Sequence, residues 1–220
     1  MSDDENALGP PSSGAETALD IASLVASAVP WVGGPVSAVL SGMSVGRKFS
    51  RVREVLAGMA DDLQHFKSEA SERYVKSDEF EELLENVLRR AADERNEEKR
   101  CLYRAFLTQS ITSAGPSYDE QMKILRALDA VQPDHVRVLR ALLQQPPTGD
   151  LGIMGSPLQT LHQRLADLPR DHIEQLVVEL NDLRLTSLQS LKTMMTAHGA
   201  QDLRHAVTPF GSRFVQFLLR

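Results

Sequence analysis

Six histidines and one cysteine have the widest chemical reach in this 220-residue chain. The histidines are His65, His135, His162, His172, His198 and His205. No two of them stand four apart around a glutamate, the spacing that puts two imidazoles and a general base on one helix face. Cys101 is the single cysteine, which excludes an internal disulfide and a thiolate zinc cage. It adjoins Leu102 on an apolar helical repeat, so a core thiol is expected rather than a nucleophile. Gly33, Gly34, Gly42 and Gly46 lack the Lys-Ser/Thr ending that completes a phosphate-binding loop. The carboxylate runs at 79–85 and 93–98 fall on predicted helices with arginines nearby, and read as solvated faces. These residues indicate no catalytic group, no metal, no cofactor and no small-molecule substrate. The expectation is a non-enzymatic protein.

What remains is the chemistry of association. Ile21–Gly46 is 26 residues without a charge. Pro30-Trp31-Val32-Gly33-Gly34-Pro35 breaks it, because a helix does not easily pass two prolines and two glycines. The segment therefore predicts two apolar arms, 21–29 and 36–46, joined by a turn. At the helical rise they are about 13 and 16 Å long, short of the roughly 30 Å of a bilayer core. Ala38, Gly42 and Gly46 are spaced by four, which lets helix backbones approach closely. Trp31 suits an interfacial anchor. Arg47, Lys48, Arg51 and Arg53 follow the second arm, where they could hold anionic headgroups. The candidate membrane or self-association residues are thus Trp31, Ala38, Gly42, Gly46, Arg47, Lys48 and Arg51. Burial of the hairpin inside a helical bundle and its release to a membrane or second protomer are both open.

These segments need a helical frame. Apolar residues make up 42% of the chain and aromatics 5%, a balance favouring helices over strands. The acidic, Pro/Gly-rich residues 1–14 predict a disordered tail rather than a signal peptide. Residues 15–112 predict a helical domain, with the second arm running on past Gly46 toward Phe66 and a further helix from Ser77. The stretch 91–100 is nearly all polar, so the helix there is exposed or interrupted. Residues 113–117 read as a linker. Ser117 and Glu120 fit a capping box, and helices follow over 118–131, 134–145, 156 onward and 170–184. The expected fold class is mostly α: an N-terminal helical bundle with the apolar hairpin, then a small winged-helix-like α+β module over 118–220.

The module rests on a resemblance. Three helical stretches, His135–Leu143, Leu158–Leu165 and His172–Leu183, precede a β-prone Leu185-Thr186-Ser187-Leu188. Val207-Thr208-Pro209-Phe210-Gly211 then opens a last helix. Residues 134–220 resemble a winged helix-turn-helix module, and this closing phrase is similar to one in many bacterial winged-helix regulators. The resemblance implies a wing and a recognition helix near 170–184. Two features depart from it. Asn181-Asp182-Leu183-Arg184 stands where many such proteins place a glycine, and the connector 192–200 is longer than a tight wing turn.

The implied recognition helix is acidic: Arg170 and Arg184 face Asp171, Glu174, Glu179 and Asp182. DNA affinity comes mainly from cations on phosphates. The charge is also unevenly spread. Residues 1–120 hold 13 cations and 21 anions, while 121–220 hold 11 and 9. A protein-docking module is therefore expected ahead of a DNA reader, whose candidate contacts would be Arg170, Arg184, Arg204 and Arg213.

The first sixty or so residues are similar in arrangement to helical effectors that shield an apolar hairpin. The expected partners are a second copy (a homo-oligomer) or another protein, with the membrane possible through 21–53 and nucleic acid ranked lower. The expected setting is cytoplasmic or peripheral at the inner face of the membrane. A DNA-binding regulator and a structural subunit of a larger assembly are the alternatives.

Overall fold

The computed structural model describes residue 23 and residues 33–41, 46–66, 72–111, 116–145, 154–196, 199–200 and 202–218. The tail, the first arm of the hairpin (Ser23 apart), Trp31, Gly42 and most of the 113–117 linker lie outside the described residues. The chain divides into two compact units: Met1–Arg95 with Ser110–Gly115, and Asn96–Gln109 with Pro116–Arg220. The expected mostly-α fold class holds. Among the described residues the only sheet pairs two strands of two residues each.

In the first unit, α1 is Gly33–Ser41, α2 Arg47–Phe66, α3 Glu72–Val75 and α4 Asp78–Asp93. Helices α1, α2 and α3 all pack on α4. Phe80, Leu83, Leu84, Val87 and Leu88 are fully buried along α4, at the three- and four-residue steps that make one helical face. Val52, Val55, Leu56, Met59 and Leu63 form the matching stripe of α2. Ser77 caps α4, its Oγ accepting from the Phe80 amide at 3.3 Å.

Two details of the second arm differ from expectation. The helix begins earlier, at Gly33, and takes Pro35 into its first turn, where a missing N–H leaves no intrahelical bond unmade. Nor does the described helix run through Gly46. That residue has φ +156°, and α2 starts only after it.

The second unit opens with α5, Glu97–Ile111, whose last two residues cross back into the first unit. Of the two possibilities for 91–100, interruption is realised: α4 ends at Asp93, and Asn96 Oδ1 accepts from the Lys99 amide at 3.2 Å as α5 starts. Then come α6 Tyr118–Ala130, α7 Pro133–Leu143, β1 Met154–Gly155, α8 Pro157–Arg164, α9 Arg170–Asp182, β2 Met195–Thr196, a 3-10 turn at Arg204–Ala206 and α10 Pro209–Leu218. Helix α7 is central: α8, α9, α10 and the 3-10 turn pack on it. Phe106 of α5 meets Phe217 of α10 edge to face at 5.3 Å.

Ser117 precedes α6, but its side chain makes no cap. Gln121 Nε2 instead donates to the Pro116 carbonyl at 2.9 Å. The β-prone stretch 185–188 contributes a single bridge, Thr186 with Val207, while β1 pairs antiparallel with β2. Cys101 is exposed, not a core thiol. The buried stripe of α5 runs through Lys99, Tyr103, Phe106, Leu107 and Ile111, which turns Cys101 outward.

Candidate functional site

Helix α1 places the second apolar arm. Val36 is fully buried and Leu40 is 1% exposed, and α1 packs on α4. The apolar side of this arm is therefore covered by the chain's own bundle at those two residues. Ala38 lies within α1, and its side chain is outside the described residues. Gly46 stands immediately before α2. It is exposed, and a Cβ on it would meet nothing within 4 Å. Its φ is what calls for glycine.

The cationic flank is partly committed to α4. The last carbonyls of a helix lack intrahelical donors and carry the negative end of its dipole. Arg51 Nη1 donates to the carbonyl of Ala92 at 2.9 Å and to that of Asp93 at 3.4 Å. Lys48 Nζ pairs with Asp93 Oδ1 at 2.5 Å. The hydrogen bond and charge of Lys48 hold the Asp93 carboxyl below the usual aspartate value, with a smaller contribution from Arg51. Arg47 and Arg53 are exposed.

A carboxyl whose pKa is lower folded than unfolded contributes its stability in full above the unfolded value, and loses it as pH falls through the folded one. Lys48→Gln should therefore lower the unit's stability slightly at neutral pH and leave it unchanged well below about pH 3.8, so that the acid limb flattens by the amount lost at neutral pH. Urea titrations of variant and parent across that range would check this. An unchanged acid limb would remove Lys48 as the cause.

In the second unit, α9 is the helix the resemblance assigns to recognition. Its solvent side carries Asp171, Gln175, Val178 and Asp182, and Val178 is 56% exposed. Lys192 reaches back to Glu174 at 2.9 Å, tying the connector to α9. Met194, two residues on, is 54% exposed. The composition of 170–184 signalled the acids but not the exposure of Val178.

Two of the four candidate phosphate contacts are engaged with acids. Arg204 makes a two-pronged pair with Asp202, at 2.8 and 2.9 Å. Arg213 Nε lies 2.7 Å from Glu120 Oε1. Arg170 and Arg184 are exposed.

Arg184 has a second role. Its φ of +58° is the left-handed conformation that glycine adopts without steric cost. Around it the end of α9 forms a Schellman motif. The Leu185 amide donates to the Leu180 carbonyl at 3.0 Å, and the Arg184 amide to the Asn181 carbonyl at 2.9 Å. The position is thus the glycine-like one, occupied by arginine. Arg184→Gly should stabilise this unit by about 0.5–1 kcal/mol, read from the urea midpoint. Loss of stability would disprove the strain.

Asn181 closes the same corner. Its Nδ2 donates to the Leu188 carbonyl at 2.9 Å, and its Oδ1 accepts from Thr186 Oγ1 at 2.7 Å and the Leu188 amide at 3.1 Å.

Histidines and acids meet between α7 and α9. Buried His135 lies 2.7 Å from Glu179 Oε2, and His172 lies 3.4 Å from Asp134 Oδ2. Arg137 joins Asp134 at 2.9 Å and both oxygens of Asp167 at 2.7 Å. Glu179 is held below the usual glutamate value, first by Gln175 and then by His135. Asp167 is held low first by its hydrogen bond to Arg137. No group of three or more His, Cys, Asp or Glu side chains among the described residues could hold a metal ion. No helix of the described residues is long and apolar enough to cross a membrane. No protein-family model matches the chain, and neither a search of curated proteins nor one of solved structures finds a match.

Proposed function

We propose that the chain is a non-enzymatic interaction protein, a cytoplasmic or membrane-peripheral effector. Residues 21–46 give self-association or membrane engagement, and the C-terminal winged-helix-like module docks protein. The observation that carries the docking reading is the outer side of α9, where Val178 stands 56% exposed among Asp171, Gln175 and Asp182. An acidic face with an apolar centre repels phosphates and suits a protein surface. Pairing of Arg204 with Asp202 and of Arg213 with Glu120 supports the same ranking. The winged-helix resemblance is supported by the order α7, β1, α8, α9, β2 and by antiparallel pairing of the two strands. The bridge from Thr186 to Val207 departs from a simple wing. For the hairpin, burial of Val36 and Leu40 supports a shielded resting state.

Sizing across a concentration series, vesicle flotation with and without anionic lipid, and a low-salt DNA shift test the reading together. The expected result is a concentration-dependent oligomer or flotation, weakened or altered by Gly42→Leu, with no tight DNA shift. A nanomolar shift would favour the DNA-regulator alternative. A fixed soluble oligomer with no flotation would favour a structural subunit.

A further inference from the structure

The contact between α7 and α9 holds a titratable group that the proposed function does not use. His135 is the third residue of α7 and is 3% exposed. Its Nδ1 lies 2.9 Å from the amide nitrogen of Gln132, the residue that caps the helix. A backbone amide only donates, so Nδ1 accepts and the ring proton sits on Nε2. Nε2 in turn lies 2.7 Å from Glu179 Oε2 on α9 and donates to that carboxylate. One neutral tautomer therefore satisfies both ring nitrogens. The imidazolium cannot, because its Nδ1–H would point at the Gln132 N–H, two donors 2.9 Å apart.

We propose that His135 is a pH-sensitive latch, joining the N-terminus of α7 to α9 while its ring is neutral and releasing the Gln132 cap when the ring is protonated. The release falls on the cap because the other side of the ring faces a carboxylate, which welcomes the added charge. Gln132 is itself exposed, so its freed amide can exchange the bond to Nδ1 for one to water.

The surrounding charges bear on the latch from several elements. From α9 come Glu179, itself bonded by Gln175 at 2.8 Å, and His172. From α7 come Asp134 and Arg137, the latter tied to Asp167 beyond α8. On α8, His162 is engaged with the Leu168 carbonyl and Arg164 with the Ala141 carbonyl. Arg204 of the 3-10 turn pairs with Asp202, beside exposed His205, and Arg213 of α10 pairs with Glu120. His172 acts in the opposite sense, since its protonation strengthens the contact with Asp134.

The test uses the full chain labelled with nitrogen-15. Ring-nitrogen spectra and Gln132 amide protection are followed from about pH 7.5 to about pH 5, the range in which imidazoles change charge. At the upper end the His135 ring should be neutral with the proton on Nε2. Its protonation should coincide with an about tenfold loss of Gln132 protection, corrected for intrinsic exchange, the size expected when one helix cap is lost. His135→Asn keeps an acceptor near the Nδ1 position and does not titrate, so its protection should not vary with pH. His172→Gln should leave the loss in place. A neutral ring protonated on Nδ1, a ring that stays neutral throughout, protonation without loss of protection, or abolition of the loss by His172→Gln would each overturn the latch. If His135→Asn does not fold, the ring and amide signals of the unsubstituted chain still decide.

Discussion

Gly211→Ala should destabilise the second unit by about 3 kcal/mol, the upper end of the cost of overpacking a tight site. In an ordinary helix interior the same change stabilises by about 1 kcal/mol, so the sign is diagnostic. Gly211 is the third residue of α10, and its amide donates to Thr208 Oγ1 at 2.9 Å. A Cβ on it would stand 2.0 Å from the Leu185 carbonyl oxygen and 2.9 Å from its carbon. These are backbone atoms, and they are pinned. The Leu185 amide donates to Leu180, and the Leu185 carbonyl accepts from the Thr208 amide at 3.1 Å and from Thr208 Oγ1 at 3.2 Å. The start of α10 therefore lies directly on the corner that ends α9. Urea unfolding of Gly211→Ala followed by circular dichroism measures the effect, and a midpoint at or above the parent's would rule out the clash.

The second large effect is expected at Lys99. Its side chain is 1% exposed, and Nζ donates to the carbonyls of Asp129, at 3.1 Å, and of Val131. Those carbonyls end α6, where donors are missing and the dipole is negative. Tyr103 joins them, its hydroxyl donating to Asp129 Oδ1 at 3.0 Å. Lys99→Met keeps much of the apolar stem and removes the donors, leaving carbonyls without their cation inside the unit. The expected cost is about 3 kcal/mol, as for removing one charged partner from a buried polar contact. An unchanged urea midpoint would show that water or a neighbouring group takes over those carbonyls.

Lys99 also marks where the sequence is hard to read. By type it belongs to the polar run 91–100, and periodicity counts it as solvated. Its stem packs and its head finds carbonyls from another helix, which only the third dimension brings near. The same error in reverse exposed Cys101. Once Lys99 and Tyr103 define the buried stripe of α5, the position two residues after Lys99 must turn away. Gly46 shows a different ambiguity. Spacing makes it a candidate for close packing with Ala38 and Gly42, and its φ of +156° gives glycine a second use there. Spacing alone cannot separate a glycine kept for its missing side chain from one kept for its dihedral freedom. Arg184 gives the converse case, a non-glycine residue in the left-handed conformation that glycine adopts without steric cost.

What the amino-acid sequence determined by itself is local. The apolar stripes of α2 and α4 and the caps at Ser77 and Thr208 follow from neighbours within a few residues. Backbone hydrogen bonding and side-chain period are decided at that range. Tertiary structure alone decided which polar groups meet: Lys48 and Arg51 with the end of α4, Lys99 with the end of α6, and His135 with Glu179. These pairs lie 30 to 45 positions apart in the chain, beyond any local signal. It also decided that Val36 and Leu40 are covered by the bundle, because an apolar face is neutral about its partner until packing selects one.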